Sequence, residues 1–394
     1  QNHTYSLQAV LASGCPIRID ASYWHLFLWR ELFQLDTEDG SKKPLGWETP
    51  DLLRLQYLAA MKGLPMGNSV NLVEIWRNDL LECVHQGHAV VCDEAGEIVH
   101  AWGDPSAVIF PRSSCKMIQA LPLLESGAGA HLTTEQLALS CASHQGAKIH
   151  TDRVSAWLKD LGYTDDDFRC GPQTPNDKEA REDLIRADEQ PCQMHNNCSG
   201  KHSGFLTLNK HIKGHADYEK VDHPVQMMGK AAFEETTQET SPTYGIDGCS
   251  APNHACTVHG LARSMAFFAS ARETGDLRAQ AAVKLRNAMM TYPELVAGET
   301  RACTDLMRAM DHKVAIKTGA EGVFVAIIPS LKMGVALKIA DGATRASESA
   351  ITAILVKLGV LDAKHPAAIA RMSPEMHNWR GIHVGFTRPS AALL

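Results

Sequence analysis

From Val70 onward the apolar residues fall into regular patterns. Asn71 to Trp76 and His88 to Cys92 have the length and composition of strands, and Ile98 to Trp102 is a third such run. The polar stretch Asp93-Glu94-Ala95-Gly96-Glu97 between the last two predicts a hairpin. Ser114 to Ser126 carries Met117, Leu121 and Leu124 at helical spacing. Thr133 or Thr134 can cap a helix running to about Cys141, and Asp152 to Leu161 predicts another. Cys170 to Cys192 is polar and interrupted by Pro172, Pro175 and Pro191, which predicts a long loop. Gly204-Phe205-Leu206 opens a helical stretch, and Gly260 to Arg272 and Asp276 to Met290 predict two more helices. Gly322 to Pro329 and Met333 to Ala340 flank Ser330-Leu331-Lys332 as a second hairpin, and Ala346 to Leu358 closes as a helix. Strands at both ends with helices between them predict an α+β fold, an antiparallel sheet flanked by helices.

Residues 1–68 do not share this grammar. They hold bulky apolar runs such as Tyr23-Trp24-His25-Leu26-Phe27-Leu28-Trp29 without sustained alternation. Asp36 to Trp47 reads as loop and Leu52 to Met61 as a short helix. The expected organisation is an N-terminal extension of no assigned role over 1–68, followed by one catalytic domain over 69–394.

Composition narrows the function classes. The 394 residues are 44% hydrophobic and 21% charged, with a formal net charge of -7. That balance disfavours a nucleic-acid binder, which would cluster Lys and Arg. No run approaches the roughly 18 apolar residues of a membrane span. Nothing reads as a leader peptide. The 11 cysteines include no Cys-x-x-Cys pair, so reduced and mostly buried thiols in a cytoplasmic protein are the expectation.

Three short motifs carry chemistry. They are Ser113-Ser114-Cys115-Lys116, then Ser143-His144, then Lys317-Thr318-Gly319. Each alone is common: a surface lysine, a capping serine, a solvated turn. In this order they form the layout of hydrolases in which lysine activates serine. A serine hydroxyl needs such a neighbour to take its proton. Ser113 and Lys116, at i and i+3 on the first turn of a helix, would share a face. A second cluster is Asn197-Cys198-Ser199-Gly200-Lys201-His202, with Tyr244-Gly245-Ile246-Asp247-Gly248-Cys249 farther on. Two thiolates on separate loops could hold zinc, with Lys201 or His202 and a water completing the set. By spacing alone, two buried thiols are the better reading, because lysine must lose its proton to ligate.

Taken together these residues resemble the asparaginase II family. The matching stretches are Phe110 to Lys116, Cys141 to His144, Arg169-Cys170-Gly171, Asn197 to His202, Asp247-Gly248-Cys249, Pro293 to Gly298 and Lys317 to Gly322. The likeness runs from about Val70 to Pro389, and the Cys-Ser-Gly-Lys-His block is its most specific part. The resemblance implies a fold like the serine β-lactamases and glutaminases, and hydrolysis of L-asparagine to L-aspartate and ammonia in asparagine catabolism. It implies Ser113 as nucleophile with Lys116 as its base, and Ser143 with Lys317 as a second, proton-relaying pair. It implies Asp247 as partner of the substrate ammonium, with Arg112 and His202 also at the substrate. It implies a zinc site at Cys198, Lys201 and Cys249 that tunes binding without performing hydrolysis, and this reverses the preference from spacing. A homodimer is the expected assembly. Ser114, one position off the Ser113–Lys116 face, is expected to be a bystander. The alternatives are a glutaminase, a penicillin-recognising or other Ser–Lys amidohydrolase, and a zinc-binding relative without turnover.

Overall fold

The computed structural model describes residues 7–10, 16–19 and 68–394. In the first part, β1 (Leu7–Val10) and β2 (Pro16–Ile19) pair antiparallel. The expected loop at Asp36 to Trp47 and helix at Leu52 to Met61 lie outside the described residues.

The second part is built on strands β3 (Val70–Arg77), β4 (Leu80–Cys92), β5 (Ile98–Trp102), β6 (Val108–Ile109), β7 (Tyr244–Ile246), β8 (Pro252–His254), β9 (Cys256–Thr257), β10 (Ala315–Gly319), β11 (Val323–Ile328), β12 (Met333–Ile339), β13 (Glu375–His377) and β14 (His383–Pro389). Eight of them form one antiparallel sheet in the order β10-β11-β12-β4-β3-β14-β13, with β5 on β4. The two expected hairpins are present, β4 with β5 and β11 with β12. β4 extends from Leu80, well upstream of the predicted His88, because its first half pairs with β3. β6 with β9 and β7 with β8 make small separate pairs. The α+β class, an antiparallel sheet flanked by helices, is the fold.

The helices supply the cover the sheet requires. β11 is buried at all six positions, so both of its faces are packed. Helix Val258–Ser270 lies on β4, β11 and β12, and helix Thr344–Lys357 on β3, β11, β12 and β14. The first comes so close that a side chain at Gly334 would run into the backbone of Ala262 and Ala266. Helix Thr134–Ser140 starts at a capping box in which Thr133 Oγ1 accepts from Gln136 N and Gln136 Oε1 accepts from Thr133 N. Such a cap is worth about 1 kcal/mol. Asp276 caps Leu277–Thr291 through Ala279 N. The predicted Ser114–Ser126 helix is instead a 3-10 turn at Arg112–Cys115 followed by Lys116–Gln119 and Leu121–Glu125, divided at Ala120 just before Pro122. The loop expected from Cys170 to Cys192 contains helix Lys178–Ala187, capped by the Asp177 carboxylate on Ala180 N.

Candidate active site

The site begins at a strained turn. Pro111 leads into Arg112, whose φ of +53° lies in the left-handed region that side chains disfavour. The 3-10 turn that follows is closed by Ser114 N on Pro111 O at 3.2 Å, and the Ser114 hydroxyl donates to the same carbonyl at 2.7 Å. Ser114 is therefore buried and committed to the turn, as a bystander should be. Ser113 is half-exposed, and its Oγ has no hydrogen-bond partner among the described residues. Strand β10 presses against this turn: a Cβ on Gly319 would come within 2.5 Å of Pro111 O and 3.2 Å of Ser114 N. The glycine of Lys317-Thr318-Gly319 thus lets the lysine strand reach the serine turn.

Lys116 opens the helix after the turn and is buried. It donates to Ser143 Oγ at 2.9 Å and to Ala142 O. Lys317, from β10, donates to Ser143 Oγ at 2.8 Å and to Thr318 O at 2.9 Å. The Ser143–Lys317 couple is therefore in contact. A hydrogen-bonded Ser113–Lys116 couple is not; Lys116 turns to Ser143, so both lysines share one hydroxyl. Burial, then the positive charge of Lys116, lowers the Lys317 pKa from the ordinary 10.5 to about 7.

The Ser143 loop is fixed from two sides. Ser143 N donates to Val296 O at 2.8 Å and His144 N to Asn197 O at 3.1 Å. His144 Nδ1 accepts from Gly146 N, which leaves the proton on Nε2 to be given to Ser199 Oγ at 2.9 Å. Burial holds the His144 pKa well below the usual range, so this link is a neutral strut.

Arg112 Nε and Nη2 donate to Asp247 Oδ1 at 3.0 and 2.8 Å. Gly248 N donates to the same oxygen at 2.8 Å, which leaves Asp247 Oδ2 uncommitted. Glu321 Oε1 lies 3.9 Å from Arg112 Nη1. A guanidinium and a free carboxylate oxygen thus stand side by side next to Ser113. Asp247 and Arg112, both expected at the substrate, are brought together there.

Behind them is a thiol pocket. Cys198, Cys249 and Lys201 are all buried, and Lys201 Nζ donates to Cys249 Sγ at 3.1 Å. Cys198 Sγ donates to Asn197 Oδ1 at 3.0 Å. The neighbouring Cys198 thiol, aided by the Lys201 charge, pulls the Cys249 pKa well down, and Cys249 together with burial pushes Cys198 up. Burial works against the Lys201 charge, but the two thiols and Asp247 hold its pKa above the lysine range. Among the described residues no three His, Cys, Asp or Glu side chains form a metal-binding group. The set is two sulfurs and one amine; Cys249 alone is drawn toward the deprotonated form a ligand needs, and a metal would have to displace the protons of Cys198 and Lys201. His202 belongs to this pocket and not to the Asp247–Arg112 pair. It is fully buried, with Nδ1 2.8 Å from Tyr218 OH and the Cys249 thiol interacting with the ring. The ring is as enclosed as Lys116 and Lys317 and lies beside the two thiols.

One residue of this neighbourhood carried no sequence signal. Asn253, on β8, is buried and bonds both the N–H and the C=O of Arg112. An asparagine between Pro252 and His254 has nothing in its spacing to mark it.

A family model described as L-asparaginase II matches residues 73–389. No curated protein sequence matches the chain. Among solved structures, the chain is similar to Mglu in its native form at 10% identity and a TM-score of 0.38, over 82% of this chain and 76% of that one. It is also similar to a β-lactamase from Mycobacterium bovis at 12% identity and a TM-score of 0.36, over 76% and 98%. An octameric penicillin-binding protein homologue from Pyrococcus abyssi matches at 11% identity and a TM-score of 0.29, over 80% and 78%. None of the described helices is long and apolar enough to cross a membrane.

Proposed function

The chain belongs to the L-asparaginase II family, and from that premise we propose that it hydrolyses L-asparagine to L-aspartate and ammonia with Ser113 as nucleophile. One observation carries this reading: a half-exposed serine stands at the head of a turn whose lysine joins a second lysine, brought to about pH 7, on one buried hydroxyl.

In this mechanism Ser113 Oγ attacks the side-chain amide carbon. Lys116 passes a proton to Ser143 Oγ as Ser143 passes its own to Lys317 Nζ, which leaves Lys116 free to take the Ser113 proton. The chain then returns a proton to the departing nitrogen, and ammonia leaves. Water attacks the acyl-enzyme, the same chain takes the water's proton, and Ser113 Oγ is reprotonated. Arg112 receives the substrate α-carboxylate and Asp247 Oδ2 the α-ammonium, so the substrate is a free amino acid. Cys198, Cys249 and Lys201 would hold zinc, which supplies fixed positive charge that orients the substrate and takes no part in bond cleavage.

Ser143 is the better-activated hydroxyl, but at 6% exposure it is less open to a substrate than Ser113. Ammonia release from L-asparagine and L-glutamine, side by side on wild type and Ser113→Ala, tests the reading. Turnover of asparagine that falls by several orders of magnitude in the variant supports it. Near-normal release from Ser113→Ala, or none from wild type, overturns it. The two substrates differ by one methylene, worth about 1–3 kcal/mol, so some glutamine turnover is compatible with the proposal.

A further inference from the structure

We infer that Asn253 is a positioning residue for the nucleophile: its side-chain amide holds Arg112 in the left-handed conformation that aims Ser113. This rests on the reading of Ser113 as nucleophile.

The argument starts from the strain at Arg112. A non-glycine residue stays at a φ of +53° only where its surroundings over-determine it. The surroundings here are one hairpin. Asn253 Oδ1 accepts from Arg112 N at 3.2 Å, and Asn253 Nδ2 donates to Arg112 O at 3.4 Å. A side-chain amide thereby pairs with a backbone peptide as a neighbouring strand would. Nδ2 also lies 3.9 Å from Cys115 Sγ, which itself donates to Arg112 O at 3.2 Å. With Asn253 at 3% exposure, water does not compete for these bonds.

The same hairpin reaches the Arg112 side chain. Gly245 on β7 faces Asn253 on β8, and the connecting turn carries Asp247, which takes the guanidinium. Asp247 N on Ala251 O, at 2.9 Å, closes that turn. Arg112 is gripped twice by one element, by its side chain for binding and by its peptide for conformation. The second grip is the one that sets Ser113, the next residue. If it is released, the backbone relaxes toward ordinary φ and Ser113 Oγ leaves its line of attack, while the Arg112–Asp247 pair can still form. The signature is therefore a loss in kcat with little change in KM.

The experiment uses the full chain with L-asparagine, the melting temperature of each protein being recorded beside its kinetics. Asn253→Ala is expected to lower kcat about 10- to 100-fold with KM within about threefold. Asn253→Asp keeps the acceptor for Arg112 N and is expected to fall less. The discriminating arm is Arg112→Gly. Glycine takes the left-handed conformation freely, so in that background Asn253→Ala should cost less than about threefold, whatever the lower starting rate. Equal fold losses in the two backgrounds, or a folded Asn253→Ala with kcat within about threefold of wild type, overturn the inference. If Asn253→Ala does not fold, the Asn253→Asp variant decides: its loss, though smaller, should shrink in the Arg112→Gly background, and an equal fold loss in the two backgrounds, or none in either, overturns the inference. Failure of the underlying reading is seen separately, as a Ser113→Ala protein that still turns over.

Discussion

Lys116 and Lys317 donate to the same oxygen, Ser143 Oγ, at 2.9 and 2.8 Å. The oxygen can accept from both, but two ammonium charges buried so close together repel, and the hydroxyl can pass its own proton on only if one of the amines is neutral. The strain falls on Lys317, whose pKa burial and the Lys116 charge lower to about 7.

The pH dependence follows. As the base at the end of the chain, Lys317 works when neutral, and its neutral fraction rises as pH passes about 7. The kcat profile should therefore climb through that region with unit slope and level above it. Lys317→Arg should lose about 10²- to 10⁴-fold in kcat along with this limb. Stability should move in the same direction. Between about pH 7 and the ordinary lysine value of 10.5 the unfolded chain binds a proton that the folded site refuses, so this site favours the folded state more as pH rises. A kcat profile flat from pH 5.5 to 8.5 would remove Lys317 from the base role.

Asp247 holds Arg112 through one oxygen, and the proposed mechanism assigns the other to the substrate ammonium. Asp247→Asn should raise KM about 10-fold or more while kcat changes less, since a charge-assisted contact to the α-ammonium is lost and the reacting groups are untouched. An asparagine analogue lacking the α-amino group should discriminate little between wild type and variant. Equal KM values for asparagine in the two proteins would place the ammonium elsewhere.

What the sequence made legible was whatever is encoded locally. The Thr133 cap, the Asp93 to Glu97 turn and the β11–β12 hairpin each rest on neighbours in the chain and were predicted from them. Helix Lys178–Ala187 was missed because it buries none of its residues and has only Leu184 and Ile185 as large apolar side chains, within a polar stretch bounded by prolines. β14 was missed because its partner, β3, lies at the other end of the catalytic part and no local pattern reports that pairing. The site divides in the same way. The order of Ser113, Lys116, Ser143 and Lys317 pointed to the proposed chemistry, but which lysine meets which serine depends on tertiary placement. Asn253 has no chemistry of its own and becomes visible only through the Arg112 backbone it holds.

Gly319 predicts a steric test. Alanine there would push a methyl carbon to 2.5 Å from Pro111 O, a backbone atom that cannot rotate away. Gly319→Ala should cost about 1–3 kcal/mol of stability, seen as a lowered melting temperature. It should also depress kcat, since the strand carrying Lys317 and the turn carrying Ser113 must separate. A variant with wild-type melting and turnover would mean that the two elements approach less closely than described.

The thiol pocket gives the last prediction. Cys249 is drawn toward thiolate by Cys198 and Lys201, and a metal that takes both sulfurs must also displace the proton from Lys201. Elemental analysis of protein purified without chelator should find zinc in near-equimolar amount, and the Cys198→Ser, Cys249→Ser double variant should hold none. Removing the metal should raise KM more than it lowers kcat, because the pocket adjoins Asp247 while the Lys116–Ser143–Lys317 chain has its own proton path. Melting temperature should fall on removal and recover on adding zinc, since an ion bound only by the folded state stabilises it by mass action. Absence of zinc from the wild-type protein, together with unchanged KM in the double variant, would return these thiols to a packing role beside Phe205 and Tyr218.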